Sequence, residues 1–276
     1  MHEVGRSPPA VMSLPPDGAT APGEDGGAYF RDPDGVTSWW RPEQGAFQFW
    51  HQQELKILDR YFPIERSPLA LDAACGQARF ARYFASKGCR VHALDINARM
   101  LETARARAQE AGLADRIEFF EGDVETFASS GTTYDIVSCM DAMEHMADLD
   151  LAVRNLTGML RKGGHFITSY TSKECVYGML RGLYTAYAYH FKREGVDIAQ
   201  TYTFERFKSA LDKSGIEIEH TFGVGLLMAP QERIRLGPLN KLLEGVSRAE
   251  ISIKGFHADN WLSRHCAVVV VIGRRL

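Results

Sequence analysis

Two hydrophobic rhythms alternate along this chain. In one, apolar residues follow one another almost without a break, over 69–74, 90–95, 116–121, 134–140, 165–171, 216–224 and 266–273. Such runs are expected of strands buried on both faces. In the other, apolar residues return every three or four positions, as in 78–87, 97–111, 148–161 and 203–215, the period of a helix with one buried face. The clearest helix is 148–161: Asp148 is the predicted N-cap, Leu149, Ala152, Val153, Leu156, Met159 and Leu160 share a face, and Gly163 ends it. Thr203 is the predicted cap of a helix bearing Phe204, Phe207, Ala210 and Leu211. Strands alternating with helices imply a parallel sheet covered on both sides. The last strand follows no long crossover helix and is expected to run antiparallel. A further helical period, Phe47, Trp50, Leu55, Leu58 and Phe62, precedes the first strand and so lies outside the alternating core.

Two stretches, 172–202 and 225–264, break the rhythm. Each follows the carboxyl end of a strand, the edge at which open α/β sheets bind ligands. Both are rich in large apolar side chains, among them Tyr184, Tyr187, Phe191, Met228, Phe256 and Trp261. They are read as cap segments that roof a hydrophobic pocket, most of their aromatics forming the small core of the cap itself. Residues 1–27 are rich in Pro, Gly, Ala and Ser without apolar period and read as a disordered tail, leaving 28–276 as the folded domain.

At 276 residues and 45% hydrophobic content the chain can bury one sizeable core plus an appended cap. Its net charge of −3, with Lys and Arg scattered, lacks the basic stripe of a nucleic-acid-binding protein. No run reaches a membrane-spanning length, and the N-terminus lacks a secretory pattern. Five cysteines without a C-x-x-C pair read as reduced thiols of a cytoplasmic protein, with no zinc or redox role.

The candidate chemistry begins at Leu69-Ala-Leu-Asp-Ala-Ala-Cys-Gly-Gln-Ala-Arg-Phe80, a buried strand, a turn of small residues and the opening of a helix. The next strand ends on Asp95. Small residues let a backbone approach a ligand closely, and a carboxylate on the neighbouring strand tip can accept hydrogen bonds from ribose hydroxyls. A dinucleotide fingerprint, G-x-G-x-x-G, is absent, since Gly76 is the one glycine between Leu69 and Lys87. The order Asp-x-Ala-Cys-Gly-x-Ala instead resembles motif I of the class I S-adenosylmethionine (SAM) methyltransferases. Ala74 and Ala78 stand where that family usually has glycine; alanine disfavours positive φ, so a slightly wider turn is expected. Gly122-Asp123 ending the third strand, the fourth strand, and Lys162-Gly163-Gly164 before the fifth recur in the family's order. The resemblance implies a Rossmann-like α/β fold with a seven-stranded, mostly parallel sheet, plus the N-terminal helix and the caps. It also implies SAM as cofactor, with Asp72, Ala74, Gly76, Asp95, Ile96, Asp123, Val124 and Met140 around it.

Cys139-Met-Asp-Ala-Met-Glu-His-Met146, together with the entry segment Ser38 to His51, is similar to the ubiquinone-biosynthesis O-methyltransferases from about Ser38 to Thr171. That group follows its entry histidine with an arginine that meets the cofactor carboxylate. Here the chain reads Gln52-Gln-Glu-Leu-Lys56, with Lys56 as a weaker substitute. Its Gly-Thr-His-Asp segment survives only as Gly195-Val-Asp197, so ubiquinone precursors do not follow as substrate. Past the fourth strand, Asp141, Glu144 and His145 crowd one loop. His145 is the first candidate for general base, an imidazole titrating near working pH, with a backbone-bonded helix-start histidine as the equal alternative. His190, His257 and His265 are the other candidates. Alternatively Asp141, Glu144 and His145 ligate Mg²⁺ or Zn²⁺ and acidify a catechol hydroxyl, although three near-adjacent ligands are crowded. The expected function is methyl transfer to a hydroxyl of a hydrophobic small molecule, a phenol or secondary metabolite. N- or C-methylation, or a non-methyl-transfer reaction such as cyclisation on the same fold, stand as alternatives. A homodimer is the expected assembly, with no nucleic-acid partner.

Overall fold

The computed structural model describes residues 47–62, 64, 68–127, 131–176, 178, 200–226, 245–246, 249–253 and 255–276. The tail 1–27, the entry segment before residue 47 and most of the 172–202 cap, including Tyr177 and His190, lie outside the described residues, as do Leu227 and Met228 of the second cap.

A first helix, α1 (Phe47–Tyr61), leads into the alternating core: β1 (Leu69–Ala73), α2 (Arg79–Ser86), β2 (Arg90–Asp95), α3 (Ala98–Glu110), β3 (Ile117–Glu121), β4 (Tyr134–Cys139), α4 (Leu149–Gly158), β5 (Leu160–Thr171), α5 (Phe204–Lys213) and β6 (Ile216–Val224). A two-residue strand, β7 (His257–Ala258), and β8 (Val268–Arg275) complete it. Among the described residues the sheet has eight strands in the order β3-β2-β1-β4-β5-β8-β6-β7. All pairs from β3 across to β5 are parallel, and β8 is antiparallel to both β5 and β6. The expected antiparallel last strand is therefore present, inserted between β5 and β6. The eighth strand, β7, was not expected; two residues carry no alternation that a sequence pattern could register.

Successive strand residues face opposite layers, and the two faces bury separate cores. Ala70, Val91, Ala93, Ile136, Val270 and Ile272 pack under α1, α2 and α3 with Ile57, Leu58, Phe84 and Leu101. Leu71, Leu94, Val137, Val269 and Val271 pack under α4 and α5 with Val153, Leu156, Phe207 and Leu211. Asp148 caps α4 by accepting from the Leu151 amide (3.1 Å), and Thr203 caps α5 by accepting from Arg206 (3.2 Å), both as predicted. The α4 helix ends at Gly158 rather than 161, because Leu160 already pairs with Tyr134 as the start of β5. The aromatic Tyr61 at the end of α1 packs on Phe222 (ring centroids 4.7 Å) and Phe256 (5.9 Å), fastening this helix to β6.

The order of strands reverses between β1 and β4. Crevices at such a reversal, outside the carboxyl ends of the strands, are where ligands of open α/β sheets bind. Both caps depart from this edge. The first leaves and returns at one point: Ser172 pairs with Tyr202, and the Tyr202 amide donates to the Thr171 carbonyl (3.1 Å). The second begins past β6 and returns through β7, with the Ala267 amide donating to the Gly225 carbonyl (2.8 Å).

Candidate cofactor and active site

The turn between β1 and α2 takes a left-handed conformation at every second residue: Ala74 (φ 53°), Gly76 (52°) and Ala78 (60°). The alanines thus adopt the positive φ that their side chains disfavour. Two alanines accept a backbone that costs an L-residue on the order of 1 kcal/mol each, and the surrounding bonds show why. Asp72, below the turn, accepts from the Ala81 amide (2.8 Å) with one carboxylate oxygen and from the Ser138 hydroxyl (2.7 Å) with the other. It thereby caps α2 and ties β1 to β4. The Cys75 amide donates to the Leu94 carbonyl (2.9 Å) and the Gly76 amide to Asp95 Oδ2 (2.7 Å), stitching the turn to the tip of β2. The Gly122 amide then joins the β3 tip to the Asp95 carbonyl (3.0 Å).

These bonds change the reading of Asp72. Its carboxylate is buried and both oxygens serve the fold, so it supports the turn from beneath rather than reaching into the crevice. Burial pushes its pKa up to about 6, against the opposing bonds from Ser138 and Ala81. Ala74, Gly76, Ile96 and Asp123 are half-buried along the crevice edge, whereas Val124 and Met140 are buried behind it. Asp95 is 8% exposed, and burial raises its pKa while the amides of Asn97, Gly76 and Ile96 oppose the rise. A carboxylate offers about four acceptor positions, so a hydroxyl donor can still be accommodated. Small residues at 74 and 76 beside two strand-tip acids fit an adenosyl cofactor without phosphate.

Past β4 the chain turns sharply: Asp141 has φ 53°, and a short 3-10 turn, Met143–His145, follows. Ser169 on β5 fixes Asp141, accepting from its amide (2.7 Å) and donating to its Oδ1 (3.0 Å). Glu144 Oε1 accepts from the Thr171 hydroxyl (3.1 Å), its carbonyl accepts from the Gln200 amide (2.7 Å), and the Tyr202 hydroxyl donates to the Met143 carbonyl (3.2 Å). His145 is half-buried on this braced loop. Asp141 and Glu144 thus face different partners. Among the described residues no group of three His, Cys, Asp or Glu side chains could hold a metal ion, so the three do not form the ligand set considered for Mg²⁺ or Zn²⁺. Of the other candidate bases, His257 lies 3.9 Å from Glu250, and His265 Nδ1 is 2.9 Å from the Trp261 carbonyl.

One cluster was missed. Arg79, the first residue of α2, is 7% exposed. Its Nη1 donates to Glu54 Oε2 (3.0 Å) and lies 3.2 Å from His51 Nδ1, and its Nη2 donates to Asp141. Lys56, the expected cation of α1, is exposed instead. It lies off the buried polar face that carries His51, Gln53 and Glu54. Burial, reinforced by the Asp141 charge and opposed by Arg79, pushes the Glu54 pKa up to about 8. The signal was present in the sequence: His51, Glu54 and Leu58 fall on one helical face, placing a histidine and an acid where apolar residues were expected.

Comparison with known proteins agrees with the motifs. Residues 70–164 match a family model described as a methyltransferase domain. The ubiquinone biosynthesis O-methyltransferase of Vibrio parahaemolyticus is 31% identical over 140 residues, 49% of this chain and 57% of that protein. The chain thus aligns with little more than half the length of such curated relatives. A magnesium protoporphyrin IX methyltransferase from Synechocystis PCC 6803, solved with bound S-adenosylhomocysteine, superposes with a TM-score of 0.60 at 17% identity, over 90% of this chain and 97% of that one. The cyclase SpnF superposes with a TM-score of 0.57 at 16% identity, over 86% and 85%. At such identities the two structures speak for the fold, which hosts more than one reaction.

Proposed function

We propose that this chain, whose residues 70–164 match a family model described as a methyltransferase domain, transfers a methyl group from SAM to a hydroxyl of a hydrophobic small molecule, a phenol or secondary metabolite. The observation that carries the reading is the alternating left-handed turn 74–78 bonded to Asp95 at the point where the strand order reverses. SAM, when bound, supplies a methyl group on a positively charged sulfur, already a strong electrophile. The tasks left to the protein are to hold the two reactants in line and to remove the acceptor's proton. Asp95 would accept from a ribose hydroxyl and Asp123 from the adenine amino group, and the backbone at Ala74 and Gly76 would hold the amino-acid half. Ile96, Val124 and Met140 supply apolar walls.

His145 takes the proton of the acceptor hydroxyl. Its loop is braced by Glu144 on Thr171 and by Gln200 and Tyr202, which would hold the imidazole in place for that task. Asp141 is engaged by Arg79 and Ser169 and shapes the loop instead of taking a proton. Support for a small apolar acceptor comes from the net charge of −3, the aromatic caps and the O-methyltransferase names of the curated relatives. The test is incubation with methyl-labelled SAM and a panel of hydrophobic phenols, with S-adenosylhomocysteine and methylated product followed by mass spectrometry. Label on an oxygen supports the proposal. Label on nitrogen or carbon, or SAM binding without S-adenosylhomocysteine from any acceptor, overturns it in favour of the corresponding reaction class.

A further inference from the structure

We propose that Arg79 is a positioning residue for the cofactor: by joining α1 to the loop after β4 across the turn 74–78, it sets the geometry in which the crevice binds its ligand. The inference rests on the cofactor reading above. Three segments distant in the sequence meet at this one guanidinium, α1 through His51 and Glu54, α2 through Arg79 itself, and the post-β4 loop through Asp141. Arg79 directly follows Ala78, the last left-handed residue of the turn, so any movement of the guanidinium is passed to the backbone that lies against the cofactor. On its other side it holds Asp141, four residues before His145. A fork of donors is suited to this task, and a lysine in the same place could not engage both carboxylates with fixed angles.

The charge count gives the device a condition. With both carboxylates ionised, two anions share one buried cation, an arrangement that desolvation makes costly. Glu54 is 1% exposed, and its Oε1 is buried without a hydrogen-bond partner. A proton on Glu54 leaves a neutral acid beside the Arg79–Asp141 ion pair and removes the repulsion between those two carboxylates. Among the described residues, the charged or titratable groups packed against Glu54 in this cluster are His51 from its own helix, Arg79 from α2 and Asp141 from the post-β4 loop. Deprotonation of Glu54 therefore loosens the joint, and ligand affinity falls as pH rises.

The experiment is titration calorimetry of the full chain with S-adenosylhomocysteine at pH 6.5, 7.5 and 8.5, for the wild type, Arg79→Lys, Arg79→Ala and Glu54→Gln, all well below their unfolding temperatures. The expected results are three. Arg79→Ala loses affinity roughly tenfold or more, the scale of one charged hydrogen bond, with partial recovery in Arg79→Lys. The wild type binds more weakly at pH 8.5 than at pH 6.5, and in Glu54→Gln that dependence is flattened. A residue that served stability alone would lower the unfolding temperature while the folded protein kept wild-type affinity; that outcome overturns the inference. If Arg79→Ala does not fold, a Glu54→Gln profile with the wild-type pH dependence overturns it equally. Absence of binding by the wild type at every pH is a separate failure, because it removes the cofactor reading itself.

Discussion

Replacing Glu54 by Gln gives a sharp measure of how the buried cluster is charged. In an unfolded chain a glutamate titrates near 4.5, whereas burial and Asp141 push Glu54 up to about 8 in the folded protein. Between those values the folded state holds a proton that the unfolded state has released. Stability must then fall as pH rises, by up to about 1.4 kcal/mol per pH unit for a single group. The stabilisation is complete below the unfolded value and lost on passing the folded one. Between pH 6 and pH 8 the expected loss is about 2 kcal/mol, and for a chain of this size that corresponds to roughly 4–8 °C in Tm. No discount for solvent screening applies, since Glu54 is 1% exposed.

Gln at this position imitates the protonated acid. Its carbonyl can face Arg79 and its N–H₂ can stand where the acid carries its proton, but it does not titrate. Scanning calorimetry of wild type and Glu54→Gln at pH 6, 7 and 8 should therefore give similar Tm values at pH 6 and a variant more stable by several degrees at pH 8. A Tm difference that is the same at all three pH values would show that Glu54 does not titrate between pH 6 and pH 8 and would refute the reasoning.

Three further outcomes follow from the site. Asp95→Ala should weaken SAM binding by on the order of a few kcal/mol, because it removes a hydroxyl acceptor and the bonds to the Gly76 and Asn97 amides together; unchanged affinity in calorimetry would remove Asp95 from the crevice. His145→Ala should lower kcat far more than it changes the cofactor KM, and an undiminished rate across pH would move the base to His190, His257 or His265. Ala74→Gly should stabilise the protein by up to about 1 kcal/mol, since φ at 74 is 53° and glycine adopts that region without penalty, partly offset by its greater unfolded-state entropy. A Tm lowered by several degrees, beyond the entropy of glycine and the loss of one methyl contact, would count against a left-handed conformation at this position.

The parts of this molecule that were legible in the sequence are those in which one segment decides its own structure. The strands of the parallel core, the Asp148 and Thr203 caps and the antiparallel last strand each follow from a local pattern of apolar spacing, a capping side chain or a missing crossover. The turn itself was found from its small residues, yet its left-handed alanines were not, because local preference opposes positive φ at alanine. What overrides that preference is non-local: the Ala81 amide bonded to Asp72 and the Gly76 amide bonded to Asp95 hold both ends of the turn from separate strands. The Arg79 cluster lies further out of reach for the same reason. Its members are 28, 25 and 62 residues from the arginine they meet, so the polar residues on the apolar face of α1 were legible while their partner was not. Only the reversal of strand order, which sets β4 beside β1, brings Asp141 to the head of α2. The same reversal opens the crevice, so the fold that creates a place for the cofactor also delivers the groups that fix the shape of its turn.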